Sequence, residues 1–347
     1  MTSLRIPLLL LLLLLGLTGC EKTPGIHKET LYVFGTLVEI SLYDVAPEKA
    51  AAVVGELNQT FRKMHEDWHA WKPGALTELN SAIARGETVE TLPSIIALIE
   101  RSRELSQLSG GLFNPAIGHL VGLWGFHQDD LPKGSLPDFD RIKERVAANP
   151  TMDDLILDGT QVASRNPLVK LDFGAFAKGV ALDEAVRILK SRGITNAIVN
   201  AGGDLNVIGR PGDRAWKVGI RHPVDWGVIA SVDLADGEVL YTSGNYERFR
   251  EHEGIRYAHI IDPRTGMPVT HIVSASVLHR DGGLADAAAT ALSVAGPPGW
   301  EKVAEAMGLD HVLLVDDNGT VYATPAMIKR VTFEPGEAKR MVVSGQP

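Results

Sequence analysis

Residues 171–209 read LDFGAFAKGVALDEAVRILKSRGITNAIVNAGGDLNVIG, and the order of elements in this stretch decides what fold the chain can take. An apolar run through Leu171 reaches Asp172, a side chain suited to cap a helix just before Gly174 and Ala175. Ala175, Gly179, Leu182, Val186 and Leu189 then recur at steps of four and three, which is one face of a helix. Arg192-Gly193 closes it, with a cation in the last turn and a glycine after it. Ala197-Ile198-Val199 reads as a strand that breaks at Gly202-Gly203-Asp204. The plain expectation is a βαβ crossover followed by a glycine turn. A second expectation is an anion site, because a helix start offers free N–H groups and Lys178 adds a full positive charge. Gly202-Gly203 would let backbone come close to such a ligand.

With 347 residues, 45% of them hydrophobic and 22% charged, the chain has the make-up of an ordinary enzyme with a sizeable core. A net charge of -9 offers no basic footprint and argues against nucleic acid as a partner. Residues 1–19 read as a signal peptide: MTSLR supplies a cation, and Ile6 to Leu15 is apolar but too short to span a membrane. Leu17-Thr18-Gly19-Cys20 resembles a bacterial lipobox, which implies a lipidated Cys20 as the first mature residue. Cys20 is the only cysteine, so an intrachain disulfide and thiolate catalysis are excluded. The expected organisation is a lipid-anchored tether over 20–30, one catalytic domain over 31–335 and a tail over 336–347. Glu21 after the cysteine tilts localisation toward the periplasmic face of the inner membrane.

Working outward, Leu31 to Tyr43 alternates as a strand interrupted at Gly35-Thr36. Pro47 opens a long helix with Ala50, Val54, Leu57, Phe61, Met64 and Trp68 on one face. A second helix runs from Pro93 to Leu108, and residues 109–126, rich in glycine and aromatics, read as a loop folded on something flat. Residues 127–150 read as a surface excursion with one short helix. Leu155 to Leu157 and Leu168 to Leu171 read as strands. Beyond the central unit, residues 216–220, 229–234, 238–242 and 273–277 alternate as strands, 285–296 is a small-residue helix, and 312–315 with 320–324 form a hairpin.

One motif competes for attention. His65 to His69, HEDWH, matches the zinc-peptidase pattern H-E-x-x-H. A catalytic zinc needs a third protein ligand, and Lys72 and Ala75 stand where the extended pattern would have glycine and histidine. A helix end with polar flanks is the better reading.

DFGAFAKG, NAGGD, SGNYER, HIIDPRTG and ADAAATAL, in this order and spacing, resemble the ApbE family of FAD:protein FMN transferases. Phe34-Gly35-Thr36, WKPGALTELN at 71–80 and LWGF at 123–126 fit the same pattern. The resemblance covers roughly residues 30–335 and implies an α+β fold of mixed β-sheets with packed helices, in two interleaved subdomains. It implies Mg²⁺-dependent cleavage of FAD at its pyrophosphate. The FMN part passes to a Thr or Ser hydroxyl of an exported flavoprotein, and AMP leaves. Within the family, hydrolysis of FAD to FMN and AMP, or simple FAD binding, is the alternative. The implied metal ligands are Asp286, Thr290 and the Ala175 carbonyl. Asp286 and Thr290 are spaced i, i+4 and so share a helix face, although a capped small-residue helix would look the same. Trp71, Leu112, Phe113, Asn114, Asp172, Lys178 and Ile261 match FAD-contacting positions. His259 is the implied proton acceptor or phosphate contact, and Asp262 is expected to fix the turn that follows it.

Overall fold

The computed structural model describes residues 25–345. β1 (Ile26–Val33) and β2 (Thr36–Tyr43) form an antiparallel hairpin around Phe34-Gly35, both at positive φ. The expected tether therefore ends earlier, because residues 26–30 are strand. Their polarity misled the sequence reading: β1 is the outer strand of its sheet, where polar residues guard a free edge and no apolar alternation is required.

α1 (Pro47–Trp68) starts on proline, which suits a first helical position, and buries Ala50, Val53, Val54, Leu57 and Phe61. α2 (Ala75–Ala84), β3 (Val89–Glu90) and α3 (Pro93–Leu108) follow. The expected loop at 109–126 contains a helix, α4 (Gly118–Trp124). Its glycines hide the period because they are places of close approach: a Cβ on Gly118 would lie 2.6 Å from the Lys170 carbonyl oxygen, and one on Gly122 3.0 Å from the Trp71 ring. α5 (Phe139–Ala147) is the short helix expected in the surface excursion, and β4 (Leu155–Asp158) with β5 (Gln161–Ser164) forms a small sheet with β3.

The central stretch differs from a βαβ unit. Residues 168–171 form only an isolated bridge, Lys170 to Ile117, and no strand. The Asn80 amide takes the place of a strand partner, giving its N–H to the Leu171 carbonyl at 2.9 Å and accepting the Leu171 N–H at 2.7 Å. α6 (Ala177–Ser191) leads to β6 (Ala197–Ala201), which lies antiparallel between β2 and β7 (Asp204–Ile208). No parallel crossover is made in this stretch.

β8 (Trp216–Arg221), β9 (Val228–Leu234), β10 (Val239–Gly244), β11 (Phe249–His252), β12 (Ile255–Ala258) and β13 (Ile272–His279) precede α7 (Gly282–Ala306). α7 runs past the expected end at Gly296. That glycine adopts φ 65°, the helix kinks there, and Pro297 starts a second segment, where a missing N–H costs nothing. β14 (His311–Asp316), β15 (Val321–Ala323), α8 (Pro325–Ile328), β16 (Val331–Phe333) and β17 (Met341–Val343) complete the chain. β17 pairs in parallel with β15, so the expected tail supplies the last strand of the main sheet.

That sheet has, among the described residues, nine strands in the order β1-β2-β6-β7-β10-β13-β14-β15-β17. Alternation sorts its side chains into two cores. Ile40, Val199, Val277, Val312 and Leu314 face α1, α6 and α7, while Leu205, Val207, Leu278, Leu313 and Val315 face the three-stranded sheet β16-β9-β8. A third cluster gathers Leu120, Trp124, Ile142 and Ile261 around α4 and α5. The architecture is the α+β arrangement of mixed sheets and packed helices expected from the resemblance.

Candidate active site

α6 and α7 meet start to start. A Cβ on Gly179 would stand 2.2 Å from the Gly282 carbonyl oxygen, so only glycine permits the approach. Asp183, one turn into α6, accepts N–H bonds from Gly282 at 2.9 Å and Gly283 at 3.1 Å. Asn206 on β7 donates to Asp183 at 2.8 Å and accepts the Tyr241 hydroxyl at 2.8 Å. Burial pushes the Asp183 carboxyl up to about 6. This chain of polar contacts fixes the start of α7 against α6 and the sheet.

Asp286 is thereby brought, buried, beneath the start of α6, where its Oδ2 accepts the Gly179 N–H at 3.0 Å. In a continuing helix that N–H would bond to the carbonyl of Ala175. The Ala175 carbonyl instead accepts no hydrogen bond among the described residues. Asp172 is not the cap of this helix, which begins five residues later. Its carboxylate spans two other groups, accepting the Gly174 N–H at 2.9 Å and the Trp71 indole N–H at 2.8 Å.

Lys178 pairs with Asp204 on β7 and lies 3.8 Å from Asp286 Oδ1. Burial works against its charge, but Asp204 and Asp286 outweigh that and raise its pKa. Burial likewise raises Asp286, to about 6, with Lys178 opposing. Glu247 borders the same space, and its carboxyl is pushed up to about 7 by the surrounding protein. One ammonium thus faces two close carboxylates and a third nearby. The expectation of a ready anion site at the start of α6 is corrected by this sum: the cluster is net negative and attracts a cation. A buried carboxylate, a carbonyl with no donor and the Thr290 hydroxyl one turn along α7 are hard oxygen donors of the kind Mg²⁺ takes.

Trp71 stacks on His127, with centroids 4.2 Å apart, and carries Lys170 3.6 Å from its ring centroid. His259 is half-buried, with its Nδ1 3.1 Å from the Arg248 carbonyl oxygen. A carbonyl only accepts, so Nδ1 holds the proton and Nε2 is left with its lone pair. Burial depresses the His259 pKa to about 4, with the Lys178 and Arg248 charges adding to the effect. The ring is neutral at pH 7 and able to accept a proton. Its folded-state pKa lies below the ordinary 6.5, so protonation favours the unfolded chain. His259 therefore costs stability as pH falls from 6.5 toward 4. We expect unfolding free energies from urea titrations across that window to fall less steeply in His259→Gln, by up to about 1.4 kcal/mol per pH unit. Parallel pH profiles for parent and variant would refute this.

The remaining expected positions are less uniform. Asp262 fixes its turn by accepting the Arg264 N–H at 2.9 Å and gripping the Arg264 guanidinium. Ile261 is buried with Trp124 in the third cluster. Phe113 is buried in the main core, edge-on to Phe176, and Leu112 packs beside Ile260 and Val269. The Asn114 amide is committed, donating to the Pro150 carbonyl at 2.9 Å and accepting the Ala116 N–H at 3.0 Å. What residues 112 and 113 leave open is backbone, since neither carbonyl accepts a hydrogen bond among the described residues.

His69 lies just beyond α1, and its Nδ1 accepts the N–H groups of Trp71 and Lys72 at 3.0 and 3.1 Å. The second histidine of HEDWH thus caps the turn that carries Trp71. Cys20 and the signal segment lie outside the described residues. Asp204, Asp183 and Glu247 were not singled out from the sequence, although Asp204 and Glu247 end and occupy the NAGGD and SGNYER stretches. Their acidic character was legible, but their shared partner was not.

A family model described as "ApbE family" matches residues 34–313. An FAD:protein FMN transferase of Rhodobacter capsulatus is 48% identical over 309 residues, covering 89% of this chain. The chain spans 59% of that relative's length. One from Treponema pallidum (strain Nichols) is 32% identical, with 93% of this chain and 94% of the relative covered. The solved ApbE protein of Thermotoga maritima superposes with a TM-score of 0.81 at 28% identity, over 88% of this chain and 99% of its own.

Proposed function

The chain belongs to the ApbE family, and from that premise we propose that it is an FAD:protein FMN transferase acting with Mg²⁺ on exported flavoproteins. The observation that carries the reading is the net-negative cluster of Lys178, Asp204 and Asp286 beside the donor-free Ala175 carbonyl. Such a cluster would repel a pyrophosphate by itself and accept one together with a dication. Asp286, Thr290 and the Ala175 carbonyl are the residues that would hold Mg²⁺, which when bound neutralises charge on the phosphate oxygens.

The chain's own groups do the rest. Lys178, kept charged by its two carboxylates, supports the phosphate side of the cleft. Trp71, oriented by Asp172 and His69, offers an aromatic face to a flat ring in exchange for its His127 or Lys170 contact. His259 Nε2 takes the proton of the acceptor hydroxyl, whose oxygen bonds to the flavin-side phosphorus. The bridging P–O bond breaks and AMP leaves with its electron pair. The test is incubation of the full chain with FAD, MgCl₂ and an exported flavoprotein subunit, read by mass spectrometry. Covalent FMN on a Thr or Ser is expected. Free FMN and AMP alone would make the chain a pyrophosphatase.

The lipobox-like segment supports an anchor through Cys20 on the periplasmic face of the inner membrane. Cys20→Ser is then expected to move the protein from the membrane fraction to the soluble one. A variant still pelleting with membranes in low and high salt would remove that part of the reading.

A further inference from the structure

Ala258, next to His259 in the chain, and Tyr246, next to Glu247, line a groove of about 510 Å³. Its walls come from two hairpins, β8–β9 with Val224 and β11–β12 with Phe249. The lining includes Arg221 and Arg256 and no carboxylate, in a chain whose net charge is -9. The Arg221 guanidinium lies over Tyr246 at 4.8 Å and that of Arg256 over Phe249 at 4.5 Å. The carboxylate nearest Arg256 is that of Glu251, at 3.9 Å and exposed.

The rim is apolar and stands in water. Trp226 is fully exposed, Val224 is 81% exposed and Ile255 is 55% exposed. The turn that carries Val224 and Trp226 is built to hold its shape: His222 Nδ1 accepts the N–H groups of Val224 at 3.2 Å and Asp225 at 2.8 Å. A fixed turn that keeps a tryptophan and a valine in solvent gains nothing within the chain. Tryptophan and arginine together are the residues that dominate protein–protein contacts. A small ligand in the groove would leave these hairpin tips uncovered, whereas a protein would cover them.

We propose that this groove docks the acceptor protein, taking an extended acidic segment beside the hydroxyl that receives FMN. The segment's carboxylates meet Arg221 and Arg256, and its apolar neighbours cover Val224 and Trp226. This rests on the flavin-transfer reading, in which a polypeptide acceptor must lie near His259, one residue along the chain from Ala258 in the groove wall.

The test uses the full chain with FAD and MgCl₂ and two short fluorescein-labelled peptides. Each has one central threonine and flanking leucines, and they differ in carrying aspartates or lysines. Anisotropy is expected to give about tenfold tighter binding of the acidic peptide at low salt. Trp226→Ala and Arg256→Glu should each weaken that binding about tenfold, leaving FAD affinity and AMP release without peptide at parental values. Equal binding of the two peptides, or unchanged affinity in both variants, overturns the proposal. Loss of FAD affinity in the variants would assign the groove to FAD, and a change from dimer to monomer in Trp226→Ala would assign it to a second copy. Acidic-peptide selectivity without AMP formation from FAD would leave the surface standing and sink the reaction.

Discussion

Asp286→Ala is expected to lower covalent FMN transfer by about 10³-fold, the scale at which loss of a group stabilising transition-state charge is felt. The carboxylate is buried, receives the Gly179 N–H and faces Lys178. It contributes a full negative charge to any dication bound there, which no neutral neighbour replaces. Asp286→Asn keeps the shape and an oxygen for the Gly179 N–H but loses the charge, and should fail nearly as badly. Thr290→Ala loses one neutral oxygen and is expected to lower apparent Mg²⁺ affinity about tenfold, with transfer recovering as MgCl₂ is raised. Transfer yield against Mg²⁺ concentration separates these outcomes, and flavin fluorescence reads FAD affinity alongside. An Asp286→Ala enzyme with parental rate and Mg²⁺ dependence would move the metal site elsewhere.

Gly179→Ala should be among the most damaging small changes in the fold. The added Cβ would stand 2.2 Å from the Gly282 carbonyl oxygen and 2.8 Å from the Gly283 nitrogen, both backbone atoms that cannot rotate aside. α6 and α7 must separate, and overpacking of this kind costs about 1–3 kcal/mol or more. The same separation draws Asp286 from the Gly179 N–H and from Lys178, so transfer should fall with stability. Gly55→Ala, on an open stretch of α1 with nothing within 4 Å, is the control and should hold or raise Tm. A Gly179→Ala protein that melts with the parent would show that the two helices have slack at their crossing.

Much of the secondary structure was legible where a single face is buried over a long run. α1 and α3 follow from helical spacing and an initial proline, and β8, β9 and β13 follow from alternation. Segments whose partners are unusual were misread. β1 is polar because it forms an edge, α4 lost its period to glycines that admit Lys170 and Trp71, and Leu171 looked like strand although Asn80 satisfies its backbone.

The site divides in the same way. Asp286, Thr290, Lys178 and His259 could be named from ordered motifs, because residue type and local spacing survive in the linear text. The sign of the cluster could not. It depends on Asp204 lying against Lys178 across 26 positions and on Asp286 reaching Gly179 across 107. The sequence alone determined which chemistry-bearing residues exist and which helix or turn carries each, since burial period and turn chemistry act over a few residues. Tertiary structure decided that two carboxylates share one ammonium and leave a carbonyl unpaired. Coulomb interactions and backbone satisfaction act through space, and it takes β7 to bring Asp204, and the crossing at Gly179 and Gly282 to bring Asp286, within reach of Lys178.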